Sequence, residues 1–186
     1  MLRILSKLIL KLIGWHVDVT MPKEKKFIMI GAPHTTNWDL PIGLLCFWSV
    51  QIKITWVAKK QIFVGPFNYF FRALGGIPVD RSVHSGFIKQ IANQFNEREE
   101  MVFGITPEGT RSKTEYWKTG FYYIAQEANI PICLAYIDYP GRTVGFGKMI
   151  TPTGDIEKDF ELIRDFYKDK TGKHPKKQGP VRIRKR

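Results

Sequence analysis

The sequence predicts an α/β fold in which a mixed, mainly parallel central sheet is flanked by helices. After residue 25, short apolar runs of strand length alternate with longer segments of helical length, a pattern typical of parallel strands joined by helices. The last two apolar runs are separated only by residues 138–142, which include Pro140 and Gly141. So short a turn predicts a hairpin, and therefore an antiparallel pair within the sheet. The length of 186 residues is sufficient for one domain with its own apolar core.

The predicted elements follow one another from residue 27 to residue 169. The strands are the short apolar runs 27–31, 53–58, 76–79, 101–105, 132–137 and 143–147. The helices are the longer segments 40–50, 66–74, 84–97, 119–128 and 155–169. We assign these elements to one domain over residues 21–170. From Lys170 onward the chain is rich in Lys and Arg and has no apolar periodicity, so residues 171–186 are predicted to form a mobile basic tail.

The first 13 residues, MLRILSKLILKLI, form a separate feature. The run is shorter than the roughly 20 apolar residues that a membrane-spanning helix needs, and lysines interrupt it in a way that does not suit a signal peptide. On a helix, Arg3, Lys7 and Lys11 form one cationic stripe, and Leu and Ile cover most of the remaining surface. This pattern is typical of a helix that lies in a membrane interface, although it also fits a helix packed on the domain. We assign residues 1–20 to an N-terminal amphipathic membrane-association helix.

The charge balance is unusual, with 29 Lys and Arg against 17 Asp and Glu, a net charge of +12. Such an excess indicates an anionic partner: nucleic acid, an anionic membrane or a phosphorylated substrate. The two cysteines, Cys46 and Cys133, lie in apolar runs without metal-binding spacing. We expect both to be buried free thiols in a reducing compartment.

The chemistry is predicted to centre on the turn Gly31-Ala32-Pro33-His34-Thr35-Thr36-Asn37-Trp38-Asp39. A histidine next to a carboxylate can act as a general base near neutral pH, because the carboxylate selects the tautomer and stabilises the imidazolium that forms. The alternative for Asp39 is structural. It precedes a predicted helix with Pro41 in its first turn, which is also the pattern of an N-cap residue.

If the sheet is largely parallel, the loops that follow its strands meet at one edge, where ligands of open α/β sheets bind. Three such loops carry reactive side chains. They are the turn that contains His34, the segment Val79-Asp80-Arg81-Ser82, and the segment Thr106-Pro107-Glu108-Gly109-Thr110-Arg111-Ser112.

Four motifs stand in order along the chain: His34-Thr35-Thr36-Asn37-Trp38-Asp39, Gly75-Gly76-Ile77-Pro78-Val79-Asp80-Arg81, Thr106 to Ser112, and Asn129-Ile130-Pro131-Ile132. With them, residues 27–140 resemble the HxxxxD glycerolipid acyltransferases, the PlsC-like 1-acylglycerol-3-phosphate acyltransferases. The chain departs from the family pattern at Thr106, where an aromatic residue is usual, and it lacks the proline that usually follows the fourth motif. It is also short for the family and has no obvious spanning helix.

The resemblance implies a glycerol-3-phosphate acyltransferase-like fold. Together with the N-terminal helix and the positive charge, it predicts a peripheral enzyme on the cytoplasmic face of a membrane with an anionic surface. Such an enzyme moves a fatty acyl group from acyl-CoA or acyl carrier protein, as co-substrate, to the free hydroxyl of a lysophospholipid. The leading acceptor is 1-acylglycerol-3-phosphate, which gives phosphatidic acid. The resemblance implies neither a metal nor another cofactor.

In this interpretation His34 is the general base and Asp39 orients it. No Gly-x-Ser-x-Gly nucleophile elbow is present, so we expect the acceptor hydroxyl to attack the thioester directly. The acceptor's phosphate and glycerol are assigned to Lys60, Arg81, Glu108, Gly109, Thr110 and Arg111. The guanidinium fork suits a phosphate, although Arg81 could instead pair with Asp80. Glu108 could accept a hydrogen bond from a glycerol hydroxyl or hold Arg111.

Two alternatives follow from the same residues. The same chemistry could act on another lysolipid or on a glycolipid. The net charge and the basic tail would also suit a non-enzymatic nucleic-acid-binding module. Nucleic acid is the less favoured partner, because the sequence has no helix-turn-helix, zinc-finger or RNP-like signature.

Overall fold

A computed structural model describes residues 1–79 and 86–184, without the side chains of residues 58–60 and 79. Within these residues, the strands are β1 His16–Val19, β2 Lys26–Ala32, β3 Ile54–Lys59, β4 Gly76–Val79, β5 Met101–Ile105, β6 Ile132–Asp138 and β7 Thr143–Ile150. The helices are α1 Leu2–Leu12, α2 Asp39–Ser49, α3 Gly65–Ala73, α4 Phe87–Asn96, α5 Gly120–Glu127 and α6 Ile156–Tyr167. Short 3₁₀ turns cover Lys60–Ile62 and Pro175–Lys177.

The strands form one sheet in the order β1-β7-β6-β2-β5-β3-β4. The five strands from β6 to β4 in this order are parallel, whereas β7 runs antiparallel to β6 and β1 runs parallel to β7. The mixed, mainly parallel sheet and the hairpin between the last two strands are therefore confirmed.

Strand β2 lies in the middle of the parallel part, between β5 and β6. Its successive side chains alternate between two apolar cores, one on each face of the sheet. Ile28 and Ile30 pack with Phe103 and the helices α4, α5 and α6, whereas Phe27 and Met29 pack with α1 and α2. Burial on both faces explains why this strand is a continuous apolar run in the sequence.

Strand β1 is not among the predicted strands. His16–Val19 is a four-residue strand whose first three residues are exposed, so it has no apolar pattern to reveal it. It forms because its backbone pairs with Thr143 to Phe146 of β7 at the edge of the sheet. Residues 1–20 are therefore not one helix: α1 ends at Leu12 and the chain then enters the sheet.

Helix α1 is packed on the domain through one side and exposed on the other. Ser6 and Leu10 are buried, and Leu10 belongs to the core that contains α2. Most of its other apolar side chains are exposed: Leu2, Ile4, Leu5, Leu8 and Leu12, together with Ile13 after its end. Among the described residues, no helix has both the length and the apolar content needed to cross a membrane.

The prediction of a mobile C-terminal tail is wrong for the described residues up to 184. The backbone N–H of Trp117 donates to the carbonyl of Arg182 at 2.8 Å, and the Arg164 Nε–H donates to the carbonyl of Val181 at 3.2 Å. Val181 and Ile183 pack against the main core. Two isolated apolar residues among cations produce no periodicity, which is why the sequence does not indicate this packing.

Both cysteines are free and buried, as predicted. Burial raises the pKa of the Cys46 thiol and of the Cys133 thiol to about 12 in each case, so both remain protonated and unreactive near neutral pH.

Candidate active site

Three neighbouring parallel strands end at the same edge of the sheet and deliver the residues of the site. Strand β2 leads to His34, β5 to Glu108 and β6 to Tyr139. Because β2 pairs with both β5 and β6, the three loops lie side by side. The predicted meeting of loops at one edge of the sheet is confirmed for the loops after β2 and β5. The loop after β4, which contains Arg81, lies outside the described residues.

His34 and Asp39 are in direct contact. The Nδ1 atom of His34 lies 2.9 Å from Oδ2 of Asp39. The same carboxylate oxygen accepts the backbone N–H groups of Thr35 at 2.9 Å and of Thr36 at 3.1 Å. The Asp39 carboxylate is thus directed back into the loop that precedes its own helix.

This geometry excludes the N-cap alternative for Asp39. The N-cap of α2 is Trp38, without a side-chain capping bond, and Asp39 is the first helical residue. A capping carboxylate would accept the N–H groups of the first helical turn that follow it. Those that Asp39 accepts, from Thr35 and Thr36, come before it in the chain.

The contact with Asp39 also determines which nitrogen of His34 is available. A carboxylate at Nδ1 holds the proton on that nitrogen, which leaves Nε2 with the basic lone pair. Nε2 has no hydrogen-bond partner in the described part of the chain, and the His34 side chain is 22 % exposed. A histidine in this arrangement is chemically able to accept a proton at Nε2 from a molecule that reaches it from the solvent side.

Tyr139 completes the environment of Asp39 and is not among the site residues predicted from the sequence. Its hydroxyl donates to Oδ1 of Asp39 at 2.8 Å. Its own backbone N–H donates to the carbonyl of Thr171 at 2.9 Å, and its ring meets the edge of Trp15 at a centroid distance of 5.1 Å. Burial and the bond to Asp39 both raise the pKa of Tyr139, which keeps the hydroxyl a donor.

A signal for Tyr139 is present in the sequence. The turn 138–142 follows a predicted strand of the parallel sheet, so by the rule that selected the other loops it belongs at the same edge. In the sequence this turn is interpreted only as the connection of a hairpin, and for that reason the predicted site does not include Tyr139. Tyr139 is also 100 residues from Asp39 in the chain, so no local spacing relates the two.

Glu108, which follows β5, contacts the loop that carries His34 from the side opposite to Tyr139. Its Oε1 accepts the backbone N–H of His34 at 2.8 Å, and the residue is only 4 % exposed. Burial raises the pKa of Glu108 to about 7, the hydrogen bond from His34 opposes this shift, and the negative charge of Asp39 adds to it. The second oxygen, Oε2, is buried and has no partner among the described residues.

Of the two alternatives for Glu108, the contact with Arg111 is not formed among the described residues. Arg111 and Thr110 are exposed, and no described hydrogen bond or ion pair joins either of them to Glu108, His34 or Asp39. Gly109 has a φ of +66°, and its N–H donates to the carbonyl of Thr106 at 3.0 Å in a tight turn. The turn brings Glu108 to His34, whereas Thr110 and Arg111 face solvent.

The remaining predicted phosphate ligands fall outside what the structure describes. Arg81 is in the undescribed segment 80–85. Lys60 begins the 3₁₀ turn after β3, but its side chain is not described.

The model of the family described as Acyltransferase matches residues 15–138. This chain belongs to the Acyltransferase family. The match covers most of the chain and includes His34, Asp39 and Glu108, and it makes the protein an enzyme rather than the nucleic-acid-binding module that the net charge alone would allow.

The fold of this acyltransferase is similar to a solved structure, the crystal structure of the 1-acyl-sn-glycerophosphate (LPA) acyltransferase PlsC from Thermotoga maritima. The similarity has a TM-score of 0.63 and covers 92 % of this chain and 80 % of that chain, with 19 % sequence identity. It confirms the PlsC-like fold predicted from the motifs. No protein of curated function matches the chain in sequence.

The raised pKa of Glu108 predicts a specific dependence of stability on pH. Below about pH 4.5 the carboxyl is protonated in both the folded and the unfolded chain, whereas above about pH 7 it is ionised in both. Between these values only the unfolded chain releases the proton readily. The free energy of unfolding of the wild type, measured relative to Glu108→Gln, should therefore fall by about 3 kcal/mol as the pH rises through this window.

Urea unfolding of both proteins at several pH values measures this difference. The exposed Glu99→Gln variant is the matched control, and its stability difference from the wild type should not vary across the same window. A constant difference for Glu108→Gln as well would show that the carboxyl is not perturbed by burial.

Tyr139→Phe should reduce kcat of acyl transfer by about tenfold, because Oδ1 of Asp39 loses its donor and the carboxylate no longer holds His34 in one orientation. Steady-state kinetics of the wild type and the variant measure this loss, with Tyr116→Phe as the control, because the Tyr116 ring contacts Arg182 and not the His34–Asp39 pair. An unchanged kcat in Tyr139→Phe would exclude a role for Tyr139 in positioning.

Proposed function

We propose that this acyltransferase moves a fatty acyl group from acyl-CoA or acyl carrier protein to the free hydroxyl of a lysophospholipid. The proposed acceptor is 1-acylglycerol-3-phosphate and the product phosphatidic acid. The observation that carries the proposal is the His34–Asp39 contact at 2.9 Å, in a chain of the Acyltransferase family. The choice of acceptor is supported by the four motifs and by the similarity in fold to PlsC, a 1-acyl-sn-glycerophosphate acyltransferase.

The proposed reaction is a direct transfer. As the acceptor hydroxyl attacks the thioester carbonyl, its proton passes to Nε2 of His34, and Asp39 stabilises the imidazolium. The new carbon–oxygen ester bond forms and the carbon–sulfur bond breaks. The departing thiolate then takes the proton from His34, which returns the histidine to its starting state. No acyl-enzyme is required.

The loop after β5 supports a role in acceptor binding. Glu108 is assigned to a glycerol hydroxyl of the acceptor: its Oε1 accepts the backbone N–H of His34, and its Oε2 is buried without a partner among the described residues. Gly109 and Thr110 shape the same turn. Lys60, Arg81 and Arg111 are proposed as cationic groups for the acceptor's phosphate.

Exposed apolar side chains support a peripheral position on a membrane. Helix α1 exposes most of its Leu and Ile side chains next to its cationic stripe, and α3 exposes Phe67, Tyr69 and Phe70. The end of α1 lies at the edge of the sheet where His34 is located, because Trp15 contacts Tyr139 and Arg142 donates to the carbonyl of Ile13. A lipid acceptor could therefore reach His34 from the bilayer on which α1 rests. The free thiols favour the cytoplasmic face.

The alternative is the same transfer to another lysolipid or to a glycolipid, since the His34–Asp39 pair does not depend on the acceptor. Incubation of the purified protein with mixed lysolipids and both kinds of acyl donor, followed by mass spectrometry of the products, distinguishes the acceptors. Phosphatidic acid as the main product supports the proposal. A different acylated lipid as the main product would replace the acceptor while retaining the chemistry.

In the same assay, His34→Ala should lower turnover by about 10²- to 10⁴-fold, because the acceptor hydroxyl then lacks a base. Circular dichroism and vesicle binding should be unchanged, since the side chain of His34 is at the surface of the site and not in the core. Near-wild-type turnover would remove His34 as the base.

The membrane role of α1 can be tested without removing its packed side chains. Leu8→Gln combined with Leu12→Gln changes two exposed residues and leaves Leu10 in place. The double variant should bind anionic vesicles at least about tenfold more weakly, because two apolar side chains no longer enter the interface. The control is Met21→Gln with Leu162→Gln, two exposed residues elsewhere. Equal sedimentation of both double variants with vesicles would make α1 a packing element only.

A further inference from the structure

The loop that follows α6, residues 171–178, is attached to the loop between β2 and α2, residues 33–38, which carries His34 and is called the catalytic loop below. The backbone N–H of His174 donates to Oγ1 of Thr35 at 3.2 Å. Gly172 is buried, and a methyl group placed on it would lie 2.8 Å from the side chain of Thr35, so only glycine allows this close approach. The carbonyl of Thr171 accepts the N–H of Tyr139, the residue that contacts Asp39. The 171–178 loop therefore has a defined position beside the His34–Asp39 pair.

The 171–178 loop is also braced internally. The Gln178 side chain spans its two ends, since its Oε1 accepts the N–H of Gly172 at 3.0 Å and its Nε2 donates to the carbonyl of Lys170 at 2.8 Å. At the start of the loop, the Thr171 N–H donates to Asp138 at 2.8 Å. The chain thus presents its side chains from a fixed backbone and not from a freely moving tail.

Three of these side chains are exposed lysines: Lys173, Lys176 and Lys177. In the described part of the chain none of them has an ion-pair partner, whereas the preceding Lys168 and Lys170 pair with Asp165 and Asp169 at 2.7 and 3.1 Å.

The position of Lys173 relates this charge to the active site. Its Nζ lies 5.7 Å from the ring centroid of Trp38, which is 60 % exposed and stands between His34 and Asp39 in the catalytic loop. Three lysines without a described ion-pair partner therefore lie within five residues of one another on a loop that contacts the His34 loop, and Lys173 is the one placed at the rim of the site. Such a group is suited to bind a doubly charged anion.

We propose that the 171–178 loop recognises the phosphate group of the acceptor through Lys173, Lys176 and Lys177. This inference rests on the proposed function and adds to it a phosphate-binding element outside the four motifs. The acceptor's phosphate is separated from the attacking hydroxyl by the glycerol unit alone, so it must lie close to His34. The phosphates of CoA are separated from the thioester by the long pantetheine arm and can lie much farther away.

Direct binding tests the proposal without turnover. Calorimetric titration with sn-glycerol 3-phosphate is carried out on the wild type and on the triple variant Lys173→Gln, Lys176→Gln, Lys177→Gln. The dissociation constant should rise at least about tenfold in the triple variant. The matched control is Lys23→Gln, Lys25→Gln, Lys158→Gln, which removes the same charge from exposed positions at the opposite edge of the sheet. An equal rise of the dissociation constant in both triple variants would show that binding depends only on net charge, and would overturn the proposal.

Kinetics then identify the source of the phosphate. The acceptors are 1-butyryl-glycerol-3-phosphate and its dephosphorylated counterpart, both soluble without a membrane. The donors are acyl-CoA and an acyl thioester of N-acetylcysteamine, which carries no phosphate. In the lysine variant of the 171–178 loop, the preference for the phosphorylated acceptor should fall about tenfold with either donor, through KM and not kcat.

A rise in KM that is confined to acyl-CoA would assign the loop to the donor and overturn the proposal. Tight binding of glycerol 3-phosphate that depends on the three lysines, in a wild type that acylates no phosphorylated acceptor, would support the anion site while contradicting the proposed function.

Discussion

The geometry of the site depends on the solvation of one buried carboxylate. Asp39 is only 7 % exposed, and burial of an ionised carboxylate is costly unless hydrogen-bond donors replace the lost water. Its two oxygens accept from four groups: two backbone N–H groups of the loop between β2 and α2, the His34 ring and the Tyr139 hydroxyl. These donors define the path of the loop between β2 and α2, and with it the position of the His34 ring.

A second carboxylate approaches the same loop under a different constraint. Glu108 receives one described hydrogen bond, from the His34 backbone, and its pKa is raised to about 7 mainly because it is buried. Two carboxylates near one histidine thus have different environments: one is surrounded by donors, and the other is poorly solvated and easily protonated. The poorly solvated group is the one whose free oxygen is proposed to meet the acceptor, and a bound hydroxyl would supply the hydrogen bond that the protein does not.

The predictable part of the fold consists of the elements whose sequence pattern follows from burial. Strand β2 is apolar throughout because both its faces are covered, and the helix after it begins within one residue of its predicted start. Strand β1 and the packed C-terminal segment could not be predicted in this way. Backbone pairing with β7 stabilises β1, whose side chains are largely exposed, and a few separate contacts stabilise the C-terminal segment through Val181 and Ile183.

The sequence by itself determined the family, the mixed sheet and the pairing of His34 with Asp39, because these depend on motifs and on residues five positions apart. The alternation of strands and helices also predicted that the loop with Glu108 lies at the same edge of the sheet, but only the tertiary structure decided which atoms of other loops contact this pair. Glu108, Tyr139 and His174 meet the loop from 74, 100 and 139 residues away in the chain. Those meetings follow from the order of the strands in the sheet and from where α6 ends, and neither has a signature in local composition or periodicity.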